Sequence, residues 1–386
     1  MFERMEIMKN SKTFISLFLA LIIISLAATG YASGAADTIQ EQKLELSERT
    51  VTVTDMSGDT VTITGKVKRI INLWPAGTSS FFVMGAGDLI AGLAVKSPAT
   101  MNTWTQLFYP DCFNIPALGG ITPSLEDIIK LEPDLVIIHP SSAKGGFAQQ
   151  VRDVGIPAIN INFSDYETMI QAYTILGEVL GGEYEEKLNT WCSAVKTKLA
   201  NVRNCTDDIS DADRPVVYYI AGQTDSLITT MPANSIISDW VESAGGIYAA
   251  KLLDLTTSQA TAEAVFDLEP DVIICGGVYQ HVAKNAVETT AGWKDLDVAI
   301  NGRIYTNPYA CFNWDRFGLE SQLQINYALM CIQPEIAAAN GITRESMISE
   351  IIDFYKTYTE YELNRTQAEY MLDGLQPDGT AEFPVK

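Results

Sequence analysis

The sequence is poor in basic side chains and almost without histidine. Its 386 residues contain 26 Lys and Arg against 48 Asp and Glu, with two histidines, and the net charge at pH 7 is −22. A surface this acidic repels phosphate backbones and anionic membrane faces. The charge therefore excludes nucleic-acid binding, and it suits a partner that is cationic where the two proteins meet.

Cysteine is also scarce. Six cysteines in 386 residues are too few for a disulfide scaffold, and no pair has the C-x-x-C spacing of a metal site. Cys192 and Cys205 fall in one predicted helix, where a rise of 1.5 Å per residue separates them by about 20 Å, too far for a disulfide. Buried free thiols are the expected state, and a bridge between Cys112 and Cys311 is the alternative.

The motifs of common enzyme classes are missing. The sequence has no P-loop, no G-x-S-x-G nucleophile elbow and no H-E-x-x-H zinc motif. Gly85 and Gly87 begin a glycine pattern that lacks the third glycine of a dinucleotide-binding turn. The sequence therefore predicts a protein that performs no chemistry and has no resident cofactor.

The N-terminus has the pattern of an export signal. Arg4, Lys9 and Lys12 precede an apolar run at residues 14–26, and small residues follow up to Ala32. The run is shorter than the roughly 20 apolar residues that a membrane-spanning helix needs. We expect cleavage before Ser33, with an uncleaved signal anchor as the alternative. Either outcome places the protein in the periplasm or on the outer face of the cell membrane.

One segment occurs twice, at residues 124–138 and 261–275, with a constant offset of 137 residues. Each copy reads as a short helix, a Leu-Glu-Pro-Asp turn and a continuous apolar strand. Proline ends each helix because it cannot continue the hydrogen-bonded turn. Continuous apolar strands are typical of parallel sheets covered on both faces. The repeated βα units therefore predict two α/β lobes.

The remaining pattern divides the chain into five parts. Helices predicted at 166–180 and 183–203 separate the lobes, and the second is expected to be about 32 Å long. A hairpin precedes the first lobe, with Gly58 in its turn. The predicted boundaries are a signal peptide at 1–32, an N-terminal lobe at 48–165, linking helices at 166–204, a C-terminal lobe at 214–340, and C-terminal helices at 341–386 that end in a loose tail from Gln376.

This order of hairpin, lobe, long helix and second lobe resembles the class III periplasmic binding proteins. These are the solute-binding subunits of ABC importers for iron–siderophore complexes, haem and cobalamin. The resemblance covers residues 48–373. The matching segments are residues 51–58, 86–90, 244–246 and 354–356, together with both Glu-Pro-Asp repeats.

The resemblance implies two Rossmann-like lobes with mostly parallel sheets, joined by a long rigid interdomain helix, with a ligand cleft between the lobes. It also implies a monomer that delivers its ligand to a permease driven by a cytoplasmic ATPase. In the family, a glutamate on each lobe engages arginines of the permease, and Glu126 and Glu263 occupy those positions here. A favourable position in the first turn of a helix is the other explanation for both glutamates.

The ligand residues are expected just after the strands, because ligands of α/β lobes lie outside the carboxyl ends of the strands. Aromatic side chains there can stack on a large flat chelate, and hydroxyl and amide groups can fix its polar edge. A cation, Arg316 or Lys144, can meet an anionic group of the ligand. The predicted ligand-binding residues are Trp74, Ser141, Ser142, Gln223, Tyr279, His281, Phe312, Trp314 and Arg316.

Some of these residues also fit structural roles. Trp74 and Trp314 can be core residues, and Arg316 can pair with Asp315 or cap a helix. His139 and His281 follow the two repeated strands and could ligate a metal from opposite lobes, with His281 the better candidate. A histidine at a strand end is more often simply hydrogen-bonded.

The predicted function is capture of a metal chelate, such as an iron–siderophore complex, haem or cobalamin, for an ABC importer. Two alternatives stay open at this point. One is a binding protein for a free metal ion or for an oxyanion such as molybdate. The other is an exported enzyme with a two-lobed, chelatase-like architecture.

Overall fold

The computed structural model describes residues 49–97, 99–222, 226–359 and 361–381. The predicted signal peptide and Gln223 lie outside these ranges. Within them, no helix combines the length and the apolar character needed to cross a membrane. The two large sheets and the helices around them lie in one compact unit.

Two four-stranded sheets form the centres of the two lobes, and every strand pair in them is parallel. The first sheet has the order β4-β3-β5-β6 and the second the order β10-β9-β7-β8. This confirms the predicted class of two α/β lobes. The strands of the first sheet are β3 (Ile70–Asn72), β4 (Ile90–Leu93), β5 (Leu135–Ile138) and β6 (Ala158–Asn160), and those of the second are β7 (Val216–Ile220), β8 (Ile247–Tyr248), β9 (Val272–Cys275) and β10 (Ile304–Thr306).

The predicted hairpin is confirmed as β1 (Thr50–Thr54) and β2 (Thr60–Thr64). Asp55 follows β1 and is buried. Its carboxylate accepts hydrogen bonds from the amides of Ser57 (2.9 Å) and Asn160 (2.9 Å) and pairs with Arg152 at 3.1 Å. The hairpin is thereby attached to the end of β6 in the first lobe.

Helices cover the sheets, link the lobes and complete the C-terminus. The first-lobe helices are α1 (Pro75–Val83), α2 (Thr103–Phe108), α3 (Leu125–Lys130), α4 (Pro140–Lys144) and α5 (Phe147–Asp153). The linking helices are α6 (Tyr166–Leu180) and α7 (Gly182–Thr206). The second lobe contains α8 (Ile236–Ser243), α9 (Ala249–Leu252), α10 (Ala262–Leu268), α11 (Gln280–Thr289) and α12 (Asp297–Ile300), and α13 (Ser321–Ile332), α14 (Pro334–Ala339), α15 (Arg344–Thr359) and α16 (Arg365–Leu372) follow.

The linking helices pack against each other along their length. Tyr173 of α6 meets Trp191 of α7 edge to face, with ring centroids 4.7 Å apart. The indole Nε1 of Trp191 donates to the carbonyl of Leu319 at 2.7 Å, just before α13. At 25 residues, α7 is about 37 Å long. It is therefore a stiff connection that also holds the segment leading into α13.

The repeated turn has the same backbone role in both lobes. Glu132 and Glu269 adopt left-handed conformations with φ of 46° and 47°, an uncommon state for residues other than glycine. The aspartate two residues later then turns back to the preceding strand. Asp134 accepts from the amide of Arg69 at 3.0 Å, and Asp271 accepts from the amide of Val216 at 2.7 Å. The Glu-Pro-Asp repeat therefore ties each central strand to its neighbour.

Two expectations about the cysteines and the C-terminus can be compared with the structure. All six cysteines are free, and five are buried, so Cys112 and Cys311 form no bridge. The expectation of a loose tail from Gln376 is wrong for its first residues. Gln376 is 5% exposed, and its amide donates to the carbonyl of Thr380 at 2.7 Å.

Candidate functional site

An aromatic group lies where the two lobes meet. Trp74 follows β3, and its ring contacts that of Phe163, which follows β6, at 4.0 Å between centroids. Phe317, which follows β10 of the other lobe, lies 6.2 Å from Trp74 and 5.8 Å from Phe163. Trp74 is 6% exposed, whereas Phe317 is half-buried. The sequence interpretation missed Phe163 and Phe317, although both follow strands.

Asn72 fixes the backbone beneath this aromatic group. Its side-chain amide donates to the carbonyl of Trp74 and to the hydroxyl of Thr78, both at 3.0 Å, and its oxygen accepts from the amide of Trp74 at 3.1 Å. The end of β3 and the first turn of α1 are thus held rigidly. The indole of Trp74 therefore has a fixed position at the end of β3, against the ring of Phe163.

The end of β5 carries a histidine and two serines in one helical turn. His139 caps α4, because its Nδ1 accepts from the amide of Ser141 at 3.1 Å. Ser142 donates to the carbonyl of Ile121 at 2.9 Å and is buried, whereas Ser141 is exposed. Both serines line a surface depression of about 480 Å³. Of the two, Ser141 has the accessible hydroxyl.

A buried charged cluster joins three strands of the second lobe. Asp315 follows β10, and its Oδ2 accepts from the hydroxyl of Tyr219 in β7 at 2.6 Å and from the amide of Gly277 after β9 at 3.2 Å. Its Oδ1 lies 3.6 Å from Nε of Arg316. The guanidinium carbon lies 5.4 Å from the ring centre of Tyr219, within cation–π range. The pairing of Arg316 with Asp315, which the sequence left open, is confirmed.

Burial and the neighbouring charges shift the pKa values of the groups in this cluster. Burial raises the pKa of Tyr219 well above its usual value, and Asp315 adds to the increase. Burial acts to lower the pKa of Arg316, but Tyr219 and Asp315 outweigh it, and the pKa is raised. Arg316 therefore stays charged while its side chain is 13% exposed. A β-carbon on Gly276 would lie 2.0 Å from Oδ2 of Asp315, so only glycine fits there.

Two more of the predicted residues of this lobe lie at the start of α11. Tyr279 precedes the helix and is half-buried. Nε2 of His281 lies 3.1 Å from the carbonyl of Gly374. Because a carbonyl oxygen only accepts hydrogen bonds, Nε2 carries the proton and donates it to the carbonyl of Gly374. Burial lowers the pKa of His281 and of His139. Across the described residues, no group of three or more His, Cys, Asp or Glu side chains comes together as a metal site.

Two predicted aromatic residues, Phe312 and Trp314, lie in the loop between β10 and α13 and differ in how deeply they are buried. Phe312 is half-buried, but Trp314 is fully buried, so it fits a core position rather than the stacking role predicted for it. Glu320, which the sequence interpretation missed, holds this loop. Its carboxylate accepts from the amides of Cys311 (2.9 Å) and Phe312 (2.8 Å) and from the hydroxyl of Tyr355. Burial raises the pKa of Glu320 to about 7.

The two repeated glutamates occupy equivalent, exposed positions. Glu126 lies in the first turn of α3, which Ser124 caps, and Glu263 lies in the first turn of α10, which Thr261 caps. The Glu126 side chain is 79% exposed and pairs with Lys130 at 3.0 Å. Glu263 is exposed as well, so both carboxylates are accessible.

A groove of about 1200 Å³ runs beside the linking helices. Asp239 of α8 lies at its base, where it accepts from the amide of Tyr166 at 2.9 Å and from Arg203 at 3.1 Å. Burial raises the pKa of Asp239. None of the predicted ligand residues within the described chain lines this groove. Its walls come from α6, α7 and α8 rather than from the aromatic group.

Two parallel α/β lobes, a long connecting helix and polar and aromatic groups at the strand ends define a two-lobe solute-binding protein. The chain belongs to the periplasmic binding protein family, which matches residues 95–310, and it is of the class III type. An ABC transporter substrate-binding lipoprotein of Bacillus subtilis, YvrC, is 26% identical over 292 residues, covering 74% of this chain and 87% of that protein.

Two other similarities extend this result. A cobalamin-binding protein of Halobacterium salinarum is 24% identical over 276 residues, covering 67% of this chain and 69% of that protein. The solved periplasmic solute binding protein of Veillonella parvula has a TM-score of 0.71 at 21% identity, covering 87% of this chain and 100% of that one. The latter similarity shows the same fold.

Proposed function

We propose that this protein captures a metal chelate with a large flat ring, such as a corrinoid or haem, and passes it to an ABC importer. The observation that supports the proposal is the half-buried ring of Phe317, which packs on the buried rings of Trp74 and Phe163 at the junction of the lobes. It lies at strand ends, where the second lobe also presents the charged Arg316. A flat apolar face with polar or anionic edges is the ligand chemistry that fits these groups.

Each part of the site has a separate role. Phe317 and Phe312 are half-buried and supply aromatic contact to the ligand ring. Arg316 supplies a fixed cation that binds a carboxylate, phosphate or amide oxygen at the ligand edge. Ser141 and Tyr279 add hydroxyl groups from opposite lobes. Trp74 and Asp315 position these groups from beneath.

Two relatives support the ligand class and the transport role. The B. subtilis relative is by name an ABC transporter substrate-binding lipoprotein, and the H. salinarum relative is by name a cobalamin-binding protein. Corrinoids therefore come first among the chelates to test. As in its family, the protein returns its ligand unaltered, so it is a carrier rather than an enzyme.

We further propose that the protein works outside the cytoplasm and docks on its permease through Glu126 and Glu263. The pair is symmetric, since each glutamate occupies the same place in one lobe. Both are exposed, and the net charge of −22 favours a cationic partner surface. Cationic side chains of the permease fit these two positions.

A binding titration tests the ligand proposal. Quenching of the protein's tryptophan fluorescence would be measured with cyanocobalamin, cobinamide, haemin, ferric siderophores and molybdate. We expect saturable binding of at least one ring-shaped chelate. Phe317→Ala is expected to weaken that binding about tenfold, through loss of one aromatic contact. Arg316→Lys keeps the charge beside Asp315 but removes the planar fork, and we expect weaker binding of ligands with anionic edges.

The matched control is Phe113→Ala. Phe113 is 44% exposed, lies in a short turn at Pro110–Asn114 and is outside the aromatic group. We expect it to leave affinity unchanged. Binding of molybdate alone, or no binding across the whole panel, would contradict the chelate proposal.

A further inference from the structure

The C-terminal helices return from the second lobe to the first. Tyr355 of α15 stacks on Phe108 of α2, with ring centroids 4.9 Å apart, and Tyr361 meets the same ring edge to face at 5.1 Å. Nζ of Lys187 in α7 donates to the carbonyls of Met84 and Tyr358, both at 3.0 Å. The end of α15 is therefore attached both to the first lobe and to the linking helix.

The residues that follow α16 continue this attachment on the first lobe. We call residues 373–376 the latch. The indole Nε1 of Trp104 in α2 donates to the carbonyl of Leu375 at 2.8 Å, and the hydroxyl of Thr103 donates to the side-chain oxygen of Gln376. Trp104 is fully buried. The latch therefore lies directly on the start of α2.

The same four residues also hold the second lobe. The carbonyl of Gly374 accepts from the side-chain amide of Gln280 at 3.1 Å and lies 3.1 Å from Nε2 of His281. Just before the latch, the carbonyl of Met371 accepts from the amide of Tyr309 at 3.1 Å. Gln280 and His281 begin α11, immediately after the proposed ligand residue Tyr279.

The base of the latch is anchored independently. Asp373 forms a two-pronged ion pair with Arg344 at the start of α15, with both N–O distances at 2.7 Å. Gly374 has a φ of +70°, and a β-carbon there would come within 2.7 Å of Nε2 of Gln280 and 3.0 Å of the carbonyl of Asn307. The backbone turn at Gly374 is therefore what lets the chain approach α11 so closely.

We infer that the latch is a tie between the lobes additional to α7 and to the ring contacts of Phe317 and Tyr355, and that it limits how far the lobes open. Ring contacts such as that of Phe317 with Trp74 can slide as the lobes move, whereas the latch holds both lobes by directed hydrogen bonds from α2 and α11. Because the latch binds the first turn of α11, it also positions the loop that carries Tyr279. Opening of the latch would separate α2 from α11 and widen the cleft.

The test measures the distance between the lobes in the ligand-free protein, so its outcome does not depend on the proposed function. Spin labels would be placed at Gln149→Cys in α5 and Asp297→Cys in α12, both exposed, in a Cys205→Ser background. The five other cysteines are buried. Double electron–electron resonance then gives the distribution of distances between the two lobes.

Gly374→Ala is the main variant, and Gly341→Ala is its matched control. Gly341 has the same left-handed backbone, with a φ of +74°, but a β-carbon there meets no atom within 4 Å. We expect Gly374→Ala to broaden the distance distribution and shift it to longer values, while Gly341→Ala matches the unsubstituted protein. Equal distributions in the two variants would overturn the inference.

Trp104→Phe provides a second test that keeps the aromatic packing of α2. It removes the indole N–H that donates to Leu375, together with part of the buried ring volume, and we expect the population with separated lobes to rise about fivefold from the lost hydrogen bond. If Gly374→Ala fails to fold, this variant decides the question. An unchanged distribution in Trp104→Phe would then overturn the inference.

Discussion

Glu320 should make the stability of this protein depend on pH in an unusual direction. Burial raises the pKa of Glu320 from 4.5 to about 7, so the folded protein binds a proton that the unfolded chain releases. The contribution of Glu320 to the free energy of unfolding is therefore greatest below pH 4.5, and it is lost as the pH rises through 7. A difference of 2.5 pKa units corresponds to roughly 3 kcal/mol.

The hydrogen bonds that Glu320 accepts oppose the effect of burial on its pKa without cancelling that effect. The amides of Cys311 and Phe312 and the hydroxyl of Tyr355 all lower the pKa, but burial is the larger effect. Glu320→Gln keeps the shape of the side chain and never ionises. The substitution replaces one accepting oxygen by an amide nitrogen. This lowers the free energy of unfolding by an amount that does not change with pH.

The assay is urea unfolding of both proteins at pH 5 and pH 8. The free energy of unfolding of the unsubstituted protein should fall, relative to Glu320→Gln, by about 2–3 kcal/mol between these values. Glu335→Gln, at an exposed site in α14, serves as control and should follow the unsubstituted protein. Parallel pH profiles for Glu320→Gln and the unsubstituted protein would refute the reasoning.

Three further predictions concern docking, packing and backbone strain. Glu126→Gln together with Glu263→Gln should reduce stimulation of the importer's ATPase in proteoliposomes while leaving ligand affinity unchanged, and a loss of affinity would count against docking. Gly276→Ala should lower the free energy of unfolding by about 1–3 kcal/mol, because its β-carbon overlaps Asp315; unaltered urea unfolding would show that the loop has room. Glu269→Asn should raise the melting temperature by about 1 °C, since Asn tolerates the left-handed backbone at lower cost, and calorimetry showing no increase would argue against strain at this turn.

The central strands could be predicted because each is a continuous apolar run. The strand that followed each Glu-Pro-Asp turn was identified from the repeat alone. β4 and β8 carry no comparable β-branched run, for physical reasons. β4 contains Gly92, where a β-carbon would come within 2.7 Å of Leu131. The position therefore requires glycine, and glycine interrupts the β-branched pattern that marks the other strands. β8 has two residues, too few to show a period.

Part of the candidate site can be proposed from the sequence because ligands of α/β lobes lie at strand ends. This rule selects Trp74 and Arg316, which lie at strand ends in the structure, but it cannot choose among aromatic residues within one loop. Trp314 and Phe317 are three residues apart, yet one is fully buried and the other half-buried. Their orientation depends on how Glu320 and Asp315 hold the loop, and those contacts join distant parts of the chain.

The packed position of the latch could not be predicted from the sequence either. Residues 373–379 contain glycine, proline and aspartate, a composition that indicates a loop, and the loop is indeed irregular. Its position depends on a hydrogen bond between Trp104 and Leu375, 271 residues apart in sequence. No local pattern reports a contact at that separation. A single sequence therefore identifies the segment as irregular but not as packed.

The Asp315–Arg316 pair argues for the kind of ligand. Removing two charges from water is expensive, and Oδ1 of Asp315 accepts no hydrogen bond from the described residues, so the pair contributes little to stability. Its effect is to hold one guanidinium at the strand ends while balancing its charge. A free metal cation would meet that guanidinium unfavourably, and a doubly charged oxyanion would find a single cation already paired. The chelate proposed above, with a flat apolar face and one anionic or amide edge, matches both the balanced charge and the half-buried ring of Phe317, which lies on the buried rings of Trp74 and Phe163.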